Sequence, residues 1–304
     1  MSLLALAEVI LTLLALVGVG YALRGAGLLT REDSIPINRI IVYAGLPALI
    51  FRAVHPARLD LGLAGVAAVA WASFLVAMGL AWLSRKGLRL PALIAGGFLL
   101  VSSLGNTGYL GYPVALTLLG DEGLVRAIFS DLFGTVAALL LVGLPIAAGM
   151  GASEERRPNM LRELVTFPGL VALAVAIALR PVAVPGPVSA GLDALANMVV
   201  PLIMISVGVS LQLQAIRPHL RALSAVATIK LLAAPLMAWG IASMAGMDEE
   251  VARLVTLQAG MPSMTLSLVI GARFGLDTDF IASAILLTTV GSVITIPMLQ
   301  LLLF

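Results

Sequence analysis

Two short strings interrupt an otherwise apolar chain with residues that do not continue a helix. One is Ser103-Leu104-Gly105-Asn106-Thr107-Gly108-Tyr109-Leu110-Gly111-Tyr112-Pro113, and the other is Gln258-Ala259-Gly260-Met261-Pro262-Ser263-Met264. Glycine costs a helix backbone entropy, and proline removes a donor while its ring clashes with the preceding turn. A helix broken by either string bares amide N–H and carbonyl groups, and the half-helix that restarts presents its positive end. The chemistry available there is anion binding, with the Asn106 side chain as a further donor. Gly105, Asn106, Thr107, Tyr112, Pro113, Gln258, Gly260, Met261, Pro262 and Ser263 are therefore candidate binding residues. The other use of such strings is close packing or a kink. Two interruptions at matched depth favour the binding reading.

Two ionisable residues lie deep in apolar runs. Lys230 is about ten residues into the run 220–245, and Asp131 is about eight into 123–148, so each sits near mid-depth at about 1.5 Å per residue. A charge there costs roughly 2.5–3.5 kcal/mol unless something compensates it. Two readings stay open: a structural Lys230–Asp131 ion pair, or a pair that attracts a carboxylate or exchanges a proton. Asn197 lies four residues before Pro201 as Tyr43 lies four before Pro47. Pro47, Asn197 and Pro201 are expected to form another wall of the site, with interhelical hydrogen bonding as the alternative.

The elements that hold these residues follow from composition. Of 304 residues, 61% are apolar and 11% charged, and the mean hydropathy is +1.10. Soluble chains carry about 25% charge, so a cytosolic enzyme and a nucleic-acid-binding domain are excluded. The bilayer is this chain's solvent. With 18 basic against 16 acidic residues the net charge is +2, and with no cysteine there is no disulfide or iron–sulfur chemistry. Neither a cofactor nor a metal is expected; His55 and His219 are too few for a histidine site.

A spanning helix needs about 20 mostly apolar residues. Ten such runs are legible, at about 3–23, 35–54, 61–83, 92–119, 123–148, 161–179, 190–213, 220–245, 251–273 and 279–302. Twelve basic residues fall in loops after odd-numbered runs and five in the others. The positive-inside rule then places both termini outside and the central loop in the cytoplasm of a multi-pass inner-membrane protein. Five runs per half would make the halves inverted copies. Leu46-Pro47 answers Val200-Pro201, and Leu144-Pro145 answers Ile296-Pro297. Aligning Gly120 with Gly275 sets Gly105-Asn106-Thr107 opposite Gly260-Met261-Pro262. Broken helices at corresponding places in two halves are the pointer to a transporter binding site.

The string Gly105–Pro113, with Asn38, Tyr43, Leu46-Pro47 and Phe51 in the second run, resembles the auxin efflux carrier family, which includes plant PIN-type exporters and bacterial carboxylate permeases. Asn106 and Pro113 match its fourth-span Asn and Pro, and Pro262 its ninth-span proline. The resemblance implies an all-α integral membrane fold. Ten helices would form a 5+5 inverted repeat with broken, crossing helices 4 and 9, as in bile-acid symporters and sodium–proton antiporters. Residues 1–148 would be the first repeat, 149–160 a short cytoplasmic linker and 161–304 the second. Helices 1, 2, 6 and 7 would form a scaffold and 3–5 and 8–10 a mobile domain, with a homodimer through the scaffold. The implied function is secondary transport of small organic anions, carboxylates such as dicarboxylates or auxin-like weak acids, by elevator-type alternating access. Proton or sodium coupling is left open, and a sodium-coupled symporter of the bile-acid type is the alternative. The short linker places the chain nearer the bacterial permeases.

An intramembrane enzyme is the reading from another class. A serine protease would need a histidine inside the spans, and an aspartyl protease two buried aspartates. Neither pattern is present, and no P-loop offers a nucleotide site.

Overall fold

The structure is a computed structural model that describes residues 3–153, 160–210 and 219–304. Residues 154–159 of the expected linker and 211–213 of the seventh run lie outside the described residues. Among the described residues thirteen helical segments fill the apolar runs, because each run must satisfy its backbone groups internally in lipid. They are α1 (Leu3–Gly25), α2 (Ser34–Val54), α3 (Gly62–Gly87), α4 (Ala92–Ser103), α5 (Thr107–Met150), α6 (Met160–Thr166), α7 (Pro168–Ala178), α8 (Gly186–Asn197), α9 (Val199–Ser210), α10 (Leu220–Met244), α11 (Glu249–Ala259), α12 (Leu266–Phe274) and α13 (Thr278–Leu303).

Among the described residues, six helical stretches are long and apolar enough to cross a bilayer: α2, α3, α5, α8 with α9, α10 and α13. The helices α4 and α7 are apolar but shorter. No strand is present among the described residues. Large apolar side chains such as Leu83, Val269, Ile294 and Leu302 are exposed, as a lipid-facing surface requires.

Prolines shape these helices in a regular way. Four wide π-type turns, Ile41–Gly45, Thr107–Gly111, Leu139–Gly143 and Ile229–Ala233, each end two residues before a proline, at Pro47, Pro113, Pro145 and Pro235. The proline cannot donate to the carbonyl four residues back, and its ring pushes that carbonyl aside, so the turn before it widens. Gly120 breaks α5 with φ 67° and ψ −161°, a conformation that strains any side chain.

The chain divides into two compact units. The first comprises Met1–Asp60, Leu116–Val125 and Leu164–Leu211. In it α1 and α9 approach backbone to backbone: Gly20 lies against the Ile205 carbonyl, and Gly208 against the Val17 carbonyl and the Tyr21 amide. Arg24 donates to the Val209 carbonyl at 2.8 Å, covering a carbonyl near the C-terminal end of α9. The second unit comprises Leu61–Ala115, Arg126–Glu163 and Gln212–Phe304. Its core is built on Phe98, Leu99, Leu100, Leu104, Tyr112, Phe274 and Phe280, all essentially buried.

Candidate functional site

Both interruptions are real breaks, and they meet inside the second unit. The helix α4 stops at Ser103, Leu104 is extended at φ −94° and ψ 122°, and α5 restarts at Thr107. The helix α11 stops at Ala259, and α12 restarts at Leu266. Gly105 and Ser263 form an isolated antiparallel bridge. On either side of it the Asn106 amide donates to the Pro262 carbonyl at 2.7 Å, and the Met264 amide to the Leu104 carbonyl at 3.0 Å. The Ser263 amide donates to Thr288 Oγ1 at 3.0 Å, and the Ser263 hydroxyl to the Val101 carbonyl at 2.6 Å. The broken strings thus satisfy part of each other's backbone, as irregular backbone at membrane depth must. Of the N–H groups bared by the breaks, those of Asn106, Ser263 and Met264 are therefore already paired.

What remains open is the first turn of each restarted helix. The amides of Thr107, Gly108 and Tyr109, and of Thr265 and Leu266, find no backbone acceptor among the described residues. These N–H groups lie at the N-terminal ends of two half-helices, where the helix dipole is positive. The side chain of Asn106 is buried, 2% exposed, and its Nδ2 has no partner. A buried donor without an acceptor costs about 1–3 kcal/mol, so this amide is poised for one.

The two deep charges do not pair. Asp131, on α5, accepts from the Thr107 hydroxyl through Oδ1 and from the Tyr112 hydroxyl through Oδ2 at 2.7 Å. Lys230, on the wide turn of α10, donates to the Ala259 carbonyl at 2.8 Å. The structural ion pair is therefore not formed: Lys230 caps the end of α11 beside Gly105, and Asp131 sits behind Gly108. Asp131 is thus anchored to the restarted side of the α4–α5 break, and Lys230 to the end of α11. Tyr112, expected to touch substrate, is 1% exposed and instead holds Asp131.

The remaining candidates divide by unit. Gln258 is buried with its amide laid against Gly111, where an added Cβ would fall 2.9 Å from Cδ, and neither of its polar atoms is paired. Met261 and Met264 are buried beside Pro262 at the break. Pro113 follows the wide turn at the start of α5, and Gly260 closes α11. Pro47, Asn197 and Pro201 belong to the first unit. There Asn197 accepts from Arg52 at 2.9 Å, and Ser206 donates to Asn38 at 2.8 Å. The sequence reading missed the Thr107 and Tyr112 clamp on Asp131, although all three residue types were visible, and it missed Thr288 as the support of Ser263. No cluster of three or more metal-capable side chains occurs among the described residues.

A multi-pass helical protein with two discontinuous helices joined at their breaks is the architecture of a membrane carrier. Residues 5–300 match the profile of the family described as membrane transport protein, and the chain belongs to that family, which is the auxin efflux carrier family that its fourth-span string resembles. A transporter of Methanothermobacter thermautotrophicus described as uncharacterized is 32% identical over 299 residues, covering 96% of each chain. A second transporter described as uncharacterized, from Methanocaldococcus jannaschii, is 32% identical over 298 residues, covering 95% of this chain and 96% of that one. A Rhizobium meliloti protein provisionally named a malonate transporter is 25% identical over 272 residues, covering 86% and 84%.

Proposed function

We propose that this protein is a secondary transporter of small organic anions, carboxylates of the dicarboxylate or weak-acid kind, working by alternating access. The observation that carries the reading is the unpaired, buried Asn106 amide at the meeting point of two broken helices. A carboxylate held there accepts from Asn106 Nδ2 and from the open amides of Thr107 and Gly108. The provisional malonate assignment of the Rhizobium meliloti relative agrees with that charge preference.

The ten-span inverted repeat belongs to the same proposal. Gly120 and Gly275, aligned with each other in the two halves, share positive φ values of 67° and 69°, and each follows a restarted half-helix. The second unit, which contains the breaks, is taken as the moving part of an elevator. Both termini outside and a cytoplasmic central loop follow from the basic residues.

The test is Asn106→Ala. Uptake of radiolabelled malonate into proteoliposomes, run with and without sodium and with a proton gradient, is expected to lose affinity about tenfold or more, the factor that about 1.4 kcal/mol represents. The unfolding midpoint should stay within a degree or two. Unchanged affinity with intact folding would remove Asn106 from the site.

A further inference from the structure

The second unit contains a cavity of about 30 Å³ whose wall includes candidate binding residues but not Asn106. It lies on the Gly105 side of the break, and Ser73, Ser103, Thr107, Lys230 and Gln258 contribute to its wall. All five are buried beyond nine-tenths; Ser73 is 4% exposed, Gln258 2% and Lys230 3%. The Ser73 hydroxyl and both polar atoms of the Gln258 amide have no partner. The Lys230 ammonium makes a single hydrogen bond, to the Ala259 carbonyl. Two of its three N–H donors are left over, and among the described residues no carboxylate lies within salt-bridge distance. Asp131, the acidic group on the neighbouring turn, has both oxygens taken by Thr107 and Tyr112.

We infer that this cavity is a binding site for a monovalent inorganic anion of halide size, chloride above all, held by Lys230 with the Gln258 amide and the Ser73 hydroxyl. A buried ammonium with one carbonyl partner lacks a counter-charge, and burying it uncompensated is costly. The unused groups facing the space are mainly donors, which suits an anion and not a metal cation. Volume sets the size: about 10–15 Å³ is needed per water-sized occupant, so this space takes one or two. Malonate, with seven non-hydrogen atoms, is too large. The site borders the one proposed at Asn106 and shares Thr107 and Gln258 with the candidate binding residues, but its halide readout does not require malonate transport. Because Lys230 also caps α11 at the break, an anion here stabilises the crossing that carries the transport site.

The experiment uses the full chain in detergent micelles. Its unfolding midpoint is followed against sodium chloride, sodium bromide, sodium gluconate and choline chloride at constant ionic strength. A saturable rise of several degrees with chloride or bromide, indifferent to the cation and missing with gluconate, is expected. Lys230→Met and, independently, Ser73→Val should abolish it; the second fills the cavity without touching the lysine and carries the test should Lys230→Met fold poorly. Bromide anomalous diffraction from wild-type crystals should give a peak beside Lys230 Nζ. Equal midpoints in chloride and gluconate, or a halide effect that survives Ser73→Val, overturns the inference.

Discussion

Asp131→Ala is expected to lower stability by about 3–5 kcal/mol, the combined effect of two hydrogen bonds to a carboxyl group and two hydroxyls left buried without an acceptor. The reason is geometric. Thr107 is the first residue of α5 after the break and Tyr112 begins its regular helical part, and one carboxyl group holds both. Without it the restarted helix loses the tie that sets its first turn, where the open amides lie. Asp131→Asn keeps an acceptor oxygen, and the tyrosine hydroxyl can turn to accept from the new amide, so most of the loss should be recovered. Unfolding midpoints of the three proteins in the same detergent, read by tryptophan fluorescence, decide the matter. An alanine variant as stable as wild type would mean that the clamp does not hold the break.

The second large effect lies in the other unit. An added Cβ at Gly208 would fall well inside van der Waals contact distance of the Val17 carbonyl oxygen and 2.8 Å from the Tyr21 amide nitrogen. At Gly20 it would meet the Ile205 carbonyl in the same way. These are backbone atoms and cannot rotate aside, so α1 and α9 must separate. Gly208→Ala is expected to cost about 1–3 kcal/mol, toward the upper end because the whole helix pair shifts. Gly20→Ala should cost a similar amount. The double variant should cost clearly less than the sum, since one separation relieves both clashes. Thermal unfolding of the two single variants and the double variant measures this coupling; strictly additive losses would show that the helices do not part as a pair.

Residue type and order alone determined much of this protein. The membrane environment follows from apolar runs in a chain that is 11% charged, because lipid leaves the backbone no partner except its own helix. The breaks at 104–106 and 260–265 are equally local, since Gly105 and the Gly260–Pro262 segment are poor continuations of a helix. The wide turns before Pro47, Pro113, Pro145 and Pro235 are local in origin too, yet Pro297 sits inside α13 with no wide turn recorded there, so a proline alone does not foretell one. Only the tertiary structure decided what the freed groups bind. Leu104 and Asn106 pair with Met264 and Pro262, more than 150 residues away. Asp131 and Lys230 are both buried, as their places deep in apolar runs require. Depth, however, says nothing of direction around a helix axis, and it is that direction which points Asp131 at Thr107 and Tyr112 and Lys230 at the end of α11.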